Sequence, residues 1–219
     1  MTGILSPDIK KLIEKNSREL SEIEGNLLGT SHDGQIRVFF ITSCNASEGK
    51  TVTAISLAYA LSQNARRKVL LIDGNLHTPR LHEIFSIEAG PGLTDLCCGK
   101  VRDVERDTEL QDLYVITHGS PVENTADLFR SEDFKTALDN LKKNFDYVIV
   151  DGCPVIGSSD ALVSAKCFDG IILVVECEKT TWEIAETVQN KLKISGGNII
   201  GAVLNKRKYY IPRFLYGKI

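Results

Sequence analysis

The sequence lacks any long apolar run, and no segment of its 219 residues reaches the length that a membrane-spanning helix needs. Its first residues also lack the apolar core of a secretory signal peptide. The 26 basic residues are matched by 29 acidic ones, so no excess of positive charge indicates a nucleic-acid-binding surface. These absences predict a cytoplasmic protein without a nucleic-acid partner.

Cysteine and histidine are sparse and irregularly spaced. The six cysteines form no CxxC pair, which predicts reduced, buried thiols rather than a disulfide framework. They are Cys44, Cys97, Cys98, Cys153, Cys167 and Cys177. Cys97 and Cys98 could form a redox or metal pair, but no further ligand stands at a suitable spacing. The four histidines show no metal-ligand spacing either, so solvated or hydrogen-bonded rings are expected. They are His32, His77, His82 and His118.

What the sequence does contain is an alternation of two kinds of segment. Short, continuously apolar, β-branched runs predict strands at residues 36–42, 69–73, 113–117, 147–151, 170–175 and 199–204. Amphipathic segments predict helices at residues 51–63, 131–143, 158–166 and 181–194. This alternation is typical of a mainly parallel sheet flanked by helices, so the expected fold class is α/β. Residues 90–112, rich in Gly, Pro and charge, predict loops and short helices.

The chain divides into three parts, with no internal repeat and no long linker. We expect an amphipathic N-terminal helix, an α/β domain and a basic tail that contains tyrosines, at residues 1–30, 31–206 and 207–219. The first part has apolar residues at helical spacing after a typical start at Ser6-Pro7, and Gly25 would weaken or break its last turn. We interpret it as part of the same unit as the domain, and a partner-binding helix is the alternative.

The most informative feature is the end of the first predicted strand, where CNASEGKT at residues 44–51 leads into a helical pattern. A strand, a tight loop and a helix N-terminus point several backbone N–H groups at one place, where the helix dipole favours an anion. Gly49 permits close approach of phosphate, Lys50 can reach phosphate oxygens, and Thr51 offers a hydroxyl to Mg²⁺. The general pattern GxxxxGK[ST] requires Gly where this chain has Cys44. Without its context the motif would indicate only a strand–helix turn.

Two carboxylates follow apolar strands, Asp73 after residues 69–72 and Asp151 after residues 147–150. The carboxyl ends of parallel strands meet at one edge of the sheet, so we expect both near Lys50 and Thr51. A carboxylate in this place typically holds magnesium in P-loop proteins. Each aspartate alone could equally be a helix cap or a loop residue. The combination favours an ATP and Mg²⁺ site.

With these motifs the chain resembles the bacterial tyrosine kinase (BY-kinase) domains of capsular and exopolysaccharide biosynthesis, which share a fold with partition and division-site ATPases. The matching segments lie between residues 17 and 205: EGKT (48–51), VLLID (69–73), TPRLH (78–82), GLTDL (92–96), FDYVIVD (145–151), Pro154 with Asp160-Ala161, and GAVLN (201–205). Position 45 holds Asn rather than the second lysine of the partition and division ATPases, which favours the kinase family.

The resemblance implies a three-layer P-loop fold and an ATP-dependent protein-tyrosine autokinase. It assigns catalysis to Lys50, Asp73 and Asp151, with Asp73 orienting or deprotonating the tyrosine hydroxyl. It assigns Mg²⁺ to Thr51, Asp73 and Asp151. It assigns nucleotide binding to the P-loop and to one residue after the last strand that would face the adenine: Asn45, Ala46, Ser47, Glu48, Gly49, Lys50, Thr51, Val52 and Asn205.

The second acidic motif departs from the family pattern. Asp-x-Asp-x-Arg becomes Asp73-Gly74-Asn75-Leu76-His77, and Asn75 can neither act as a base nor balance a metal's charge. A nucleotide-dependent switch or ATPase of the same polysaccharide system, without tyrosine kinase activity, therefore stays open as the alternative function. A non-catalytic interaction module is a third.

The resemblance also implies partners. A membrane polysaccharide co-polymerase, or chain-length regulator, would be the activating adaptor and the only link to the inner face of the membrane. A homo-oligomer is allowed, although the positions of the family's ring-assembly motif hold Arg18, Ser21 and Glu24. In the tail, Tyr209, Tyr210 and Tyr216 are the implied phosphoacceptors, and their alternation with apolar residues equally predicts simple packing.

Overall fold

The computed structural model describes residues 2–30 and 37–208, in which helices cover both faces of a central sheet. The strands of this sheet are β1 (Val38–Ser43), β2 (Val69–Asp73), β3 (Arg106–Asp107), β4 (Leu113–Ile116), β5 (Tyr147–Pro154), β6 (Gly170–Glu176) and β7 (Ile199–Asn205). Their order is β3-β4-β2-β5-β1-β6-β7. Every neighbouring pair is parallel except β3 and β4. The predicted α/β class with a mainly parallel sheet is confirmed.

Two helices precede β1, and the other helices lie between strands, as the sequence pattern predicts. They are α1 (Pro7–Lys15), α2 (Ser17–Thr30), α3 (Lys50–Gln63), α4 (Leu81–Ile84), α5 (Leu93–Cys97), α6 (Thr125–Arg130), α7 (Glu132–Asn144), α8 (Asp160–Ser164) and α9 (Trp182–Ile194), and a 3₁₀ turn covers Ala165–Cys167. Within the described ranges, no helix is both long and apolar enough to cross a bilayer.

The central strands are buried on both faces, which explains their continuous apolar runs. All residues of β1 and β2 are buried. Because side chains alternate along a strand, Val38 and Phe40 join the core on one face, and Phe39 and Ile41 join the core on the other. Two cores therefore hold the sheet from its two sides and fix the strand register.

The N-terminal segment forms two helices rather than the single helix expected from its spacing. The break falls at Asn16, whose φ and ψ are -108° and 21°, and not at Gly25, through which α2 continues. Both helices pack on the domain, because Ile13 and Leu20 are buried in the same core as Ile55 of α3.

Two other local expectations hold only in part. The stretch at residues 90–112 contains the predicted short helix, α5, but also the two-residue strand β3, which pairs antiparallel with β4. The prediction of buried thiols is confirmed for Cys44, Cys97 and Cys153, whereas Cys98 is exposed, and two more thiols are only half-buried, Cys167 and Cys177. Burial raises the pKa of Cys97 to about 12, so its thiol stays protonated and is a poor metal ligand or nucleophile.

Candidate active site

The loop between β1 and α3 has the backbone shape of a phosphate-binding loop. Ser47 and Gly49 adopt positive φ angles of 63° and 97°, which curl the chain before α3 begins at Lys50. The N–H of Thr53 donates to the carbonyl oxygen of Gly49 at 2.9 Å and closes the first helical turn. The free N–H groups at the start of a 14-residue helix therefore converge with the loop amides, and this arrangement suits a polyphosphate.

The end of β7 supports this loop from the side. The Asn205 side-chain amide donates to the carbonyl oxygen of Glu48 at 2.8 Å. The Lys206 ammonium donates to the carbonyl oxygen of Ser47 at 2.6 Å and forms an ion pair with Glu176 at 3.1 Å. The family resemblance implied a nucleotide-binding role for Asn205, but the sequence gave no signal for Lys206, because a lysine in a basic run is usually solvated.

Glu48 fixes the loop from inside. Its side chain is buried, and Oε1 accepts hydrogen bonds from the Asn45 amide at 3.0 Å and from the Thr180 hydroxyl. Thr180 precedes α9, so the loop is tied to a third part of the chain. These contacts hold the loop in place before any ligand arrives, and such preorganisation reduces the cost of binding.

Replacing Gly49 with alanine should destabilise the protein by roughly 2 kcal/mol or more, since a left-handed residue with a Cβ costs roughly 1–2 kcal/mol before any clash. The clash is with Asn205, because the new Cβ would lie 2.0 Å from its Nδ2 atom. Urea unfolding of Gly49→Ala, Asn205→Ala and the double variant separates the two effects. Asn205→Ala alone should cost about 1 kcal/mol for its hydrogen bond, and the double variant should lose less than the sum. Strictly additive losses would mean that the side chains do not collide.

The two predicted carboxylates lie side by side, because Asp73 and Asp151 are paired in the register of β2 and β5. Asp73 is fully buried, and its Oδ2 accepts the backbone N–H groups of Arg80 and Leu81 at 3.0 and 2.9 Å. Asp73 Oδ1 and both oxygens of Asp151 are buried without a hydrogen-bond partner among the described residues. Buried oxygens of this kind are what a bound cation would satisfy, so the residues fit magnesium.

The electrostatics of the pair agree with that fit. Burial raises the pKa of Asp73 from 3.8 to about 6, although the amides of Leu81 and Arg80 lower it. Burial, and then the charge of Asp73, raise the pKa of Asp151 to about 7, against the ammonium of Lys50. Thr51 also lowers this pKa, although no hydrogen bond of good geometry joins its hydroxyl to either oxygen. When both carboxylates are ionised, the repulsion between them raises the free energy of the folded protein. A divalent cation bound between them would offset that repulsion.

A cleft of about 590 Å³ opens between the P-loop and the loop after β2. Its lining includes Ser47, Lys50, Thr51, Asn75, His77 and Arg80. The side-chain amide of Asn75 donates to the carbonyl and hydroxyl oxygens of Thr78 at 3.1 and 2.9 Å. The residue that replaces an expected aspartate therefore organises the loop after β2.

His77, which stands where the family has arginine, pairs with a residue whose role the sequence did not reveal. Its Nε2 atom lies 3.0 Å from Asp160 Oδ2 and 3.3 Å from the Thr125 hydroxyl. Asp160 is buried, whereas the His77 side chain is half exposed. His77 also lines a second cavity, of about 560 Å³, together with His118, Ser120 and Asp160. It therefore lies where the two cavities meet.

The structure brings together Lys50, Thr51, Asp73, Asp151 and Asn205, and the loop residues between positions 45 and 52. The implied phosphoacceptors Tyr209, Tyr210 and Tyr216 lie outside the described residues, so they stay predictions. The fold and this site define a P-loop nucleotide-binding protein.

Comparisons with known proteins identify the family. Residues 37–195 match the model of an AAA domain. The tyrosine-protein kinase YwqD of Bacillus subtilis is 32% identical over 195 residues, which cover 88% of this chain and 82% of the relative. The tyrosine-protein kinase CpsD of Streptococcus pneumoniae serotype 4 is 33% identical over 185 residues, which cover 82% and 80%. The chain belongs to the bacterial tyrosine-protein kinase family, as its motifs indicated.

Solved structures agree. The VpsO kinase domain superposes with a TM-score of 0.82 at 30% identity, over 93% of this chain and 100% of that one. The septum site-determining protein MinD of Pyrococcus horikoshii, solved with Mg-ADP, superposes with a TM-score of 0.66 over 82% of this chain and 75% of that one. At 24% identity the second match shows the fold alone, which is that of the P-loop division ATPases.

Proposed function

We propose that this chain is an ATP-dependent protein-tyrosine autokinase that regulates capsular or exopolysaccharide synthesis and export. One observation carries the proposal: Asp73 and Asp151 have three buried oxygens without a hydrogen-bond partner among the described residues, and Asp151 lies beside Lys50 and Thr51 of the P-loop. The same chain is about one third identical to named tyrosine-protein kinases over most of its length. Membership of that family favours the kinase over a switch or ATPase without tyrosine kinase activity.

In this proposal the backbone amides of residues 45–52 hold the phosphates of ATP, and Lys50 contacts the β- and γ-phosphate oxygens. Thr51, Asp73 and Asp151 hold Mg²⁺, which supplies charge neutralisation between the phosphates when bound. Asp73 is fixed by two backbone amides, so its remaining oxygen, Oδ1, is held in one orientation. We assign to it the orientation of the incoming tyrosine hydroxyl.

Loss of the second aspartate does not remove the parts that phosphoryl transfer needs. The reaction depends mainly on positioning and on stabilising charge, which one lysine, one divalent ion and two carboxylates can supply. Asn75 keeps a structural role through its bonds to Thr78.

The remaining assignments are also proposals. We propose that α1 and α2 belong to the same unit as the domain at residues 31–206, and their shared core with α3 supports this. We propose a membrane polysaccharide co-polymerase as the activating adaptor, which would place the chain at the inner face of the membrane. A homo-oligomer would let the tail of one copy reach the cleft of the next.

Phosphotyrosine formation tests the function. The protein is incubated with radiolabelled ATP and Mg²⁺, with and without the cytoplasmic segment of the adaptor, and phosphate release is measured in parallel. Label on tyrosine supports the kinase. Phosphate release without label in either condition would support the nucleotide-dependent ATPase and overturn the kinase.

Replacing Tyr209, Tyr210 and Tyr216 together with phenylalanine should abolish the phosphotyrosine label. The change removes only three hydroxyl groups, so the Kd for Mg-ATP should stay at the wild-type value. The matched control is Tyr59→Phe, which changes a half-buried tyrosine of α3, and this variant should keep the label. Mass spectrometry locates the phosphate, and undiminished label in the triple variant would place the acceptor elsewhere.

A further inference from the structure

Two histidines and an aspartate converge beside the proposed magnesium site, although their spacing in the sequence gives no metal signal. Asp73 ends β2, His82 lies on α4, and His118 follows β4, the strand that pairs with β2. One potential ligand atom from each residue lies within 4.8 Å of the other two. The centroids of the two imidazole rings are 5.0 Å apart, at an interplanar angle of 61°. The fold therefore builds a compact group of two nitrogen donors and one oxygen donor.

The same three residues each carry a buried polar atom that lacks a hydrogen-bond partner in the part of the chain that the structure describes. These atoms are Asp73 Oδ1, His82 Nδ1 and His118 Nδ1. Buried polar atoms are rarely left unpaired in native proteins, so three in one place indicate a missing common partner. Asp73 is also fixed from outside, since its Oδ2 accepts two backbone amides, and fixed outer contacts of this kind orient metal ligands.

We propose that Asp73, His82 and His118 form a binding site for a divalent transition-metal ion of the Zn²⁺ type. Imidazole nitrogens suit zinc and its neighbours, whereas magnesium prefers a shell made only of oxygen atoms. Two histidines and one carboxylate leave at least one position open for water. Both histidines are half-buried as residues, and their Nδ1 atoms are buried.

Asp73 belongs both to this site and to the proposed catalytic site. If the proposed function is correct, a metal ion bound here should therefore affect the kinase. Only one oxygen of Asp73 is free of backbone hydrogen bonds. An ion held by His82 and His118 would therefore compete with the role of Asp73 in the kinase. Zinc at this site should inhibit phosphoryl transfer, and His118→Ala should relieve that inhibition.

Metal binding itself tests the site without any measurement of activity. The full chain is treated with a chelator, and Zn²⁺ is then titrated in competition with a chromophoric chelator. Wild type should bind one ion, and His82→Ala and His118→Ala should each weaken binding by about tenfold or more. His77→Ala is the matched control, because it also removes one histidine but one outside the group. It should bind zinc as wild type does.

A second measurement separates this site from the free cysteines. Co²⁺ bound by two imidazoles and a carboxylate gives weak visible bands without a thiolate charge-transfer band. A thiolate band, the absence of one-to-one zinc binding, or unchanged affinity in His118→Ala would each overturn the proposal. His118→Gln, with circular dichroism and thermal unfolding, replaces the alanine variant if that variant does not fold. Zinc binding needs no kinase activity, so failure here would leave the proposed function standing.

Discussion

Replacing Lys50 with methionine should lower the rate of phosphoryl transfer by about 100- to 1000-fold, the usual effect of removing one preorganised electrostatic contact. Lys50 is only 8% exposed and stands at the first position of α3, at the floor of the cleft. Methionine keeps most of the apolar stem but removes the ammonium. The P-loop should therefore keep its shape and lose the charge that meets the developing negative charge on the phosphate.

The measurement is phosphotyrosine and ADP formation at saturating Mg-ATP, so that weaker binding is not mistaken for slower chemistry. Lys143→Met is the matched control, because Lys143 lies exposed near the end of α7 and bonds only to the Asn140 side chain among the described contacts. It should retain the wild-type rate. If Lys50→Met keeps more than about a tenth of that rate, Lys50 does not stabilise the transition state as a P-loop lysine should.

Local sequence pattern predicts one part of this site, which consists of Lys50, Asp73 and Asp151. Continuous apolar runs identify β2 and β5 because both are buried on two faces. Asp73 ends β2 as predicted, whereas β5 continues past Asp151 to Pro154, so the prediction that Asp151 closes its strand was wrong. Parallel pairing places the two carboxylates in register without further information. A short run of residues and one topological rule are sufficient to bring Lys50 beside both aspartates.

The rest depends on contacts between distant segments. Asp73 and His118 are 45 residues apart, and they meet with His82 because β2 pairs with β4 while α4 follows the end of β2. The 3.0 Å contact between His77 and Asp160 likewise joins the loop after β2 to the start of α8. The local sequence around each of these residues does not indicate which distant residue it will contact.

Surface and end effects escape prediction for a different reason. Trp182, the first residue of α9, is 71% exposed, although a tryptophan side chain is usually largely buried. A large apolar side chain becomes buried only where the fold provides a surface to pack against. Among the described residues, no such surface covers Trp182. The break between α1 and α2 at Asn16 likewise depends on how each helix meets the core, which outweighs the weak local preference at Gly25.

Replacing Asp151 with asparagine should have opposite effects on activity and on the stability of the ion-free protein. The carboxylate is buried, has no hydrogen-bond partner among the described residues, and has a pKa raised to about 7. When the pKa of a group is higher in the folded than in the unfolded state, the folded state binds the proton more tightly, so protonation of the group stabilises the fold. Wild type therefore loses stability as the pH rises from about 4 to about 7, and Asp73, with a pKa of about 6, adds to the loss.

Asparagine has nearly the same shape and no charge to desolvate. In EDTA at pH 8, Asp151→Asn should unfold in urea with a free energy higher than wild type by on the order of 1–3 kcal/mol, and the difference should shrink at pH 5. Phosphoryl transfer should nevertheless fall by about 100-fold or more, because one holder of the metal charge is lost. Asp139→Asn, on the exposed side of α7, controls for loss of a carboxylate.

The two effects have one cause, and that makes the test specific. A carboxylate kept buried without a partner raises the free energy of the ion-free protein, and a divalent cation beside it lowers that free energy again. Mg-ADP should therefore stabilise wild type against urea more than it stabilises Asp151→Asn. If the variant proves less stable than wild type in EDTA at pH 8, Asp151 already has a partner in the folded protein. Its two free oxygens would then not be the place where the metal binds.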